Sequence, residues 1–271
     1  KGSKWVKLII IKVVDSLPKC GIKDNECQKN LYQNLIKDVA KVGIPELNMP
    51  PLDPVVLKNV AIQVMDLVNL TLVDGVAKGI KDCIFNSFEI DVDKGIGKQE
   101  IMCDFVIKGQ YNLQGDSDML KRLLGSSGMR NVLFFSEKLV MNMKFPLLFE
   151  KHDDGDIYLK ITDKGFEYHY DIKGKASFAA DSIFVGKQDI TEFVVKYLNE
   201  NWKYVLKNFG KAFVDKAMEF YFDFVKKFFG GVPVKHFIIE DLTPRVAGTR
   251  HLTDSLTPKQ INHFYIVDLE I

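Results

Sequence analysis

Neither sign of charge prevails in this chain: 37 basic side chains stand against 36 acidic ones over 271 residues, a formal charge of +1. No strong field is available to draw nucleic acid. A membrane-crossing run is missing as well. The apolar stretch 8–14 is broken by Lys12 and falls far short of the roughly 20 apolar residues that a spanning helix needs. Cysteine is scarce, with four in all, and no two are spaced closely enough for the usual structural zinc site. The histidines, His152, His169, His236, His251 and His263, are dispersed, none with another His or Glu at helical ligand spacing. The stretch LLGSSGMRN sets Ser126 and Ser127 beside glycines but lacks the G-x-S-x-G elbow of a serine nucleophile. Carboxylates such as Asp153 and Asp154 fall in turn sequences, where they cap backbone groups. The chain is therefore expected to have no catalytic residue, no metal and no cofactor.

What is present in excess is ring surface. Twenty Phe, nine Tyr and two Trp accompany an ordinary composition of 46% apolar and 27% charged residues, enough to line something broad and apolar inside a soluble globular fold. The length allows one domain or two. The opening KWVKLIIIKVV has two readings, the remnant of a secretory leader or a first strand over residues 5–14; its Ile and Val content suits the strand.

Leu31, Leu35, Val39 and Val42 recur at helical spacing and predict a helix over residues 25–42 that Gly43 caps. GIPELNMPPLDP follows, its prolines favouring an ordered, extended connector. From Val60 to Phe178 the period changes to two. Ile62, Val64, Val68, Leu70 and Leu72 share one face of a first run, and Ile80, Ile84, Phe88 and Ile90 one face of the next. Ile101, Cys103, Phe105, Ile107, Tyr111 and Leu113 then alternate with polar residues, as do Leu133, Phe135, Leu139, Met141, Met143 and Phe145, Glu137 being the exception on that apolar side. Ile157, Leu159 and Ile161, then Phe166, Tyr168, Tyr170 and Ile172, complete an antiparallel sheet with one apolar face.

Helical spacing returns over residues 189–229, where Phe193, Tyr197, Trp202, Leu206, Phe209, Phe213, Phe220, Phe224 and Phe228 recur behind Asp189 or Thr191 as N-cap. Gly210 is placed to kink this helix, and Gly230, Gly231 and Pro233 to end it. A one-faced sheet followed by one long aromatic helix satisfies both surfaces if the strands wrap the helix. The expected fold is α+β, a highly curved antiparallel sheet around a long helix. Residues 1–240 are expected to form a single domain, with 241–271 an extension packed on it, its Tyr265, Val267, Leu269 and Ile271 alternating like a strand.

LPKCGIKDNEC, GIPELNMPPLDP, IKGQYNLQG, DSIFVGKQDI, YLNENWKYVL and FFGGVPVKHF, in that order between Leu17 and Phe237, together resemble the insect takeout and juvenile hormone binding protein family. The resemblance implies an elongated, secreted carrier with an apolar tunnel between sheet and helix, and it implies a disulfide between Cys20 and Cys27. The C-terminal extension is longer than the family pattern leads one to expect. Strand parity puts Cys83 on the outer face beside Phe85 and Cys103 on the inner face beside Phe105, so in the absence of a bulge these two are expected to remain free thiols. The lack of a second bridge would favour the takeout branch.

The residues expected to line the ligand are Phe88, Phe105, Ile107, Tyr111, Met141, Met143, Tyr168 and Tyr170 from the sheet, with Trp202, Phe209 and Phe213 from the helix. Taken one at a time, each serves equally well as plain core; collectively, adaptable Met and aromatic walls suit a cavity, with Tyr hydroxyls to orient one polar group. Asn69, in the sequon Asn69-Leu70-Thr71 and on the polar face of its strand, is a candidate glycosylation site. The expected function is to carry a hydrophobic small molecule, a terpenoid hormone, fatty acid, isoprenoid or carotenoid, outside the cell. The alternative is an extracellular interaction or storage protein acting through its surface or its C-terminal extension.

Overall fold

The structure, a computed structural model, describes residues 18–246 except 65–66 and 125–129. The expectations for a strand or leader at 1–14, for the loop holding Ser126 and Ser127, and for a strand at 265–271 lie outside the described residues.

Helix α1 (Asn25–Val42) begins where the Asp24 carboxylate accepts from the Cys27 amide at 3.0 Å. It ends where the Gly43 amide, at φ 69°, donates to the Val39 carbonyl. Leu31, Leu35 and Val39 are buried, as their spacing requires. The proline segment forms a short 3-10 turn over Pro45–Leu47 and then leads into the sheet.

The sheet contains β1 (Val55–Val64), β2 (Val68–Lys78), β3 (Ile84–Asp91), β4 (Ile96–Gly115), β5 (Arg130–Lys151), β6 (Ile157–Ile161), β7 (Glu167–Ile172) and β8 (Ala176–Ala180). The two longest strands, β4 and β5, form its spine. β2 and β3 share the far edge of β4, and β6, β7 and β8 share the far edge of β5, all antiparallel, while β1 pairs with β2. The apolar run around residues 62–72 is thus a hairpin, with Ile62 opposite Leu70 on one face. Ladder shifts occur at Leu72/Asp74, Phe85/Ser87 and Cys103/Phe105. Each extra residue bends its strand and raises the local twist, so the sheet curls into a half-barrel. A helix α2 (Asp118–Leu124) precedes β5, and a small hairpin, β9 (Phe184–Val185) with β10 (Gln188–Asp189), follows β8.

The concave side holds α3 (Thr191–Glu200) and α4 (Trp202–Gly231). The helix predicted to be continuous from 189 to 229 is interrupted at Asn201. Asn199 explains the break: its side-chain amide accepts from Phe178 N and donates to Phe178 O, tying the last turn of α3 to β8. Gly210 lies within α4 and is buried. Met218, Phe222, Val225, Phe228 and Phe229 form the buried face of α4 against the sheet and α1. Beyond Gly231, Phe237 and Ile238 close the same end, where Cys20 N donates to Phe237 O and the Glu240 carboxylate accepts from Ile22 N. No described helix is long and apolar enough to cross a membrane, and the described residues contain no metal-binding group.

Candidate ligand-binding site

The buried apolar side chains fall into three clusters along the β4–β5 spine. At the α1 end, Leu31, Tyr32, Phe88, Phe145, Leu159, Phe229 and Phe237 belong to the largest, and their rings meet edge to face or tilted. The middle cluster holds Cys83, Ile101, Cys103, Met141, Met143 and Met218, with Phe105, Tyr168 and Tyr170 only partly buried against it. At the other end Leu57, Val60, Leu72 and Tyr111 pack together, with Ile107 and Val132 partly buried beside them.

The candidate lining residues are therefore divided. Met141, Met143, Phe105, Tyr168 and Tyr170 come together; Phe88 is sealed in the first cluster, and Tyr111 and Ile107 belong to the third. Trp202 and Phe209 on α4 are half-buried, and Phe213 is 40% exposed. The tyrosine hydroxyls already have protein partners. Tyr168 donates to Asp215, which also receives Lys211; Tyr170 donates to the Leu206 carbonyl at 3.2 Å and Tyr111 to the Asp181 carbonyl at 3.3 Å. Burial raises the pKa of all three hydroxyls, and the Asp215 charge adds to the rise at Tyr168 and Tyr170.

Cys83 and Cys103 form a disulfide, with their Cα atoms 4.4 Å apart, so the expectation of two free thiols is wrong. Cys83 is not a strand residue: it follows the 3-10 turn Ile80–Asp82, ahead of β3. Between Phe85 and Ser87 the ladder then slips, leaving Cys83 and Phe85 on the same side as Phe88 and Ile90, while Ile84 is 49% exposed. The resemblance-based disulfide, Cys20–Cys27, is present as expected.

A second slip corrects the first half of β5. Cys103 faces Leu139 but Phe105 faces Ser136, so Glu137 and Lys138, the latter at φ 51°, occupy a bulge. Before it the inward residues are Arg130, Val132 and Ser136 rather than Leu133 and Phe135. The corrected parity reveals what sequence reasoning missed. Arg130 is only 6% exposed and its Nη1 has no hydrogen-bond partner. Gln99 and Tyr32 are also buried, with Gln99 Nε2 and the Tyr32 hydroxyl unpartnered, while Tyr221 donates to Gln99 Oε1 at 2.6 Å. A polar residue at an inward ladder position is a readable signal only once the bulges are placed.

Asn69 lies in β2 and its Nδ2, the atom that would carry a glycan, donates to Asp116 at 2.7 Å. A hollow of about 430 Å³ lies between β8 and α3, lined by Ala180, Asp189, Thr191, Glu192 and Val195, apart from the candidate lining residues.

Among solved structures, 14 chains match. One is the crystal structure of Epiphyas postvittana Takeout 1, with a TM-score of 0.70 and 22% identity over 81% of this chain and 98% of that one. At that identity the likeness establishes the fold, and the second disulfide removes the reason given for preferring the takeout branch. No curated protein matches this chain. The family model for haemolymph juvenile hormone binding protein matches residues 6–239. The chain belongs to that family, whose members are non-enzymatic binding proteins for hydrophobic ligands.

Proposed function

We propose that this protein is a secreted carrier that takes up one hydrophobic small molecule between the concave face of the sheet and α4. One observation carries the proposal. The apolar side chains of the α1 end are tightly packed, whereas Phe105, Ile107, Tyr168 and Tyr170, farther along the same concavity, keep part of their surface uncovered, and Trp202 and Phe209 on α4 are likewise only half-buried. Phe213 and Phe220 on α4 remain 40% and 44% exposed. A ligand that covers about 400 Å² of such surface gains on the order of 10 kcal/mol before association costs, enough for micromolar or tighter binding.

The ligand is a terpenoid, fatty acid, isoprenoid or carotenoid, and residues 1–240 act as one binding domain to which 241–271 is appended. Two disulfides among the described residues suit an oxidising, extracellular address. Asn69 is then a glycan acceptor, recognised as a mass loss on treatment with a peptide N-glycosidase. Solvent extraction of the protein purified from an insect-cell medium should release a near-stoichiometric apolar compound, and the extracted protein should take up N-phenyl-1-naphthylamine at one site. The absence of both release and uptake would sink the carrier reading. The alternative, an extracellular interaction or storage protein acting through its surface or C-terminal extension, is favoured by exposed apolar side chains such as Phe193, 72% exposed on α3, and Met119, 70% exposed.

A further inference from the structure

Arg130 opens β5 as the direct cross-strand partner of Tyr111, so the two side chains leave the sheet on the same face. That face is the concave one, where Tyr111 packs with Leu57, Val60 and Leu72. The Arg130 side chain is thus a cation inside an apolar cluster. Among the described residues it forms no ion pair; it hydrogen-bonds the Tyr111 hydroxyl, but its Nη1 has no partner although it is removed from solvent. Asp181, on the neighbouring chain segment, is engaged elsewhere: its carboxylate accepts from Asn131 N at 2.7 Å and Asn131 Nδ2 at 2.6 Å. A buried guanidinium with no ionic partner is unfavourable, and an anion placed against it supplies both the opposite charge and the hydrogen bond missing at Nη1.

We infer that Arg130 is the anchor for the headgroup of an anionic amphiphile, a fatty acid whose carboxylate meets the guanidinium while its chain runs along the apolar concavity toward Phe105 and Met141. The inference rests on the carrier reading and selects among its ligand classes. A guanidinium presents parallel N–H donors that match the two oxygens of a carboxylate, which a neutral terpenoid, ester or carotenoid cannot exploit. The Tyr111 hydroxyl on the same face already gives its proton to the Asp181 carbonyl, which leaves the guanidinium as the donor for the headgroup. The hydrocarbon portion gains the same burial whatever its headgroup, so a comparison of an acid with its ester isolates the headgroup contribution.

The test uses cis-parinaric acid and its methyl ester, two fluorescent probes with one hydrocarbon chain, on the full-length, delipidated protein near neutral pH. The acid is expected to bind about 10-fold more tightly than the ester, the size of effect given by a hydrogen bond to a charged group. Arg130→Gln should remove that preference by weakening the acid alone, leaving the ester within about twofold, and Arg130→Lys should restore part of it. Unchanged ester binding certifies that a variant is folded, and the acid-to-ester ratio of the unaltered protein decides the matter if a variant fails to fold. Equal affinity for acid and ester in the unaltered protein, with N-phenyl-1-naphthylamine still taken up, would show a merely hydrated guanidinium and overturn this inference alone. Failure to take up any of the three probes would overturn the carrier reading and the inference with it.

Discussion

The ring of Phe145 lies across Gly97. The two are direct partners in the β4–β5 ladder, and a Cβ on residue 97 would stand 2.1 Å from the ring. Glycine ordinarily weakens a strand, but here the missing side chain is the space that a fully buried ring occupies at the closed end. Gly97→Ala is therefore expected to displace the ring and lower stability by about 1–3 kcal/mol. Gly230, where an added Cβ meets nothing within 4 Å, provides the control: Gly230→Ala should be neutral or stabilising by up to about 1 kcal/mol. Urea unfolding midpoints of the two variants decide the point, and an unchanged midpoint for Gly97→Ala refutes it.

The Cys83–Cys103 bridge closes a segment with a sequence separation of 20 and joins the turn before β3 to the middle of β4. Chain-entropy arguments assign such a loop about 3 kcal/mol, more than the Cys20–Cys27 bridge with its separation of 7. The double variant Cys83→Ala/Cys103→Ala should lose more stability than Cys20→Ala/Cys27→Ala in denaturant unfolding. A thiol titration of the unreduced, denatured chain should find no free thiol, and two reactive thiols at 83 and 103 would contradict the bridge.

Residues that repeat without interruption were legible. The bounds of α1 follow from its apolar spacing and from Gly43; the inward set of β4 follows from plain alternation; the exit of α4 follows from its glycines and Pro233. Parity counts residues, however, whereas a sheet counts ladder pairs. One unpaired residue between Phe85 and Ser87 reversed the assignment of Cys83, and the bulge at Glu137 and Lys138 hid Arg130 on what looked like the polar side. Glu137, an acidic residue at an apolar position, was the visible trace of that bulge. The break at Asn201 has no comparable trace, because it depends on Asn199 reaching the backbone of Phe178, a contact between residues distant in sequence.

Tyrosine ionisation reports how much of the ring surface is enclosed. Tyr32, Tyr111, Tyr158, Tyr168, Tyr170 and Tyr221 all have raised pKa values, burial being the largest cause in each case, with Asp154 adding at Tyr158 and Asp215 at Tyr168. A raised value means that the fold favours the neutral phenol. The associated stability is fully present below the unfolded value near pH 10 and is lost as pH climbs through the folded values. At about pH 11 the native protein should show fewer tyrosinates by absorbance near 295 nm than the urea-unfolded chain, and its unfolding free energy should fall steadily from about pH 10 upward. Ordinary titration of all nine tyrosines in a chain that keeps its native circular dichroism would show the rings to be open to water.

Core and wall residues should separate into two classes of variant. Phe237 is buried against Phe228 and Phe229 at the closed end, so Phe237→Ala leaves a cavity and should lower stability by about 3–5 kcal/mol. Phe209 and Phe213 lie on α4 outside the buried clusters and retain exposed surface, so their replacement by Ala should cost under about 1.5 kcal/mol in unfolding. If they line the ligand, the same replacements remove apolar contact from the bound state, and each should weaken N-phenyl-1-naphthylamine binding by about 5-fold or more. A loss of affinity without a loss of stability locates the wall on α4. Unaltered affinity in both variants would remove the helix from the wall and confine the ligand to the sheet residues Phe105, Met141, Met143, Tyr168 and Tyr170.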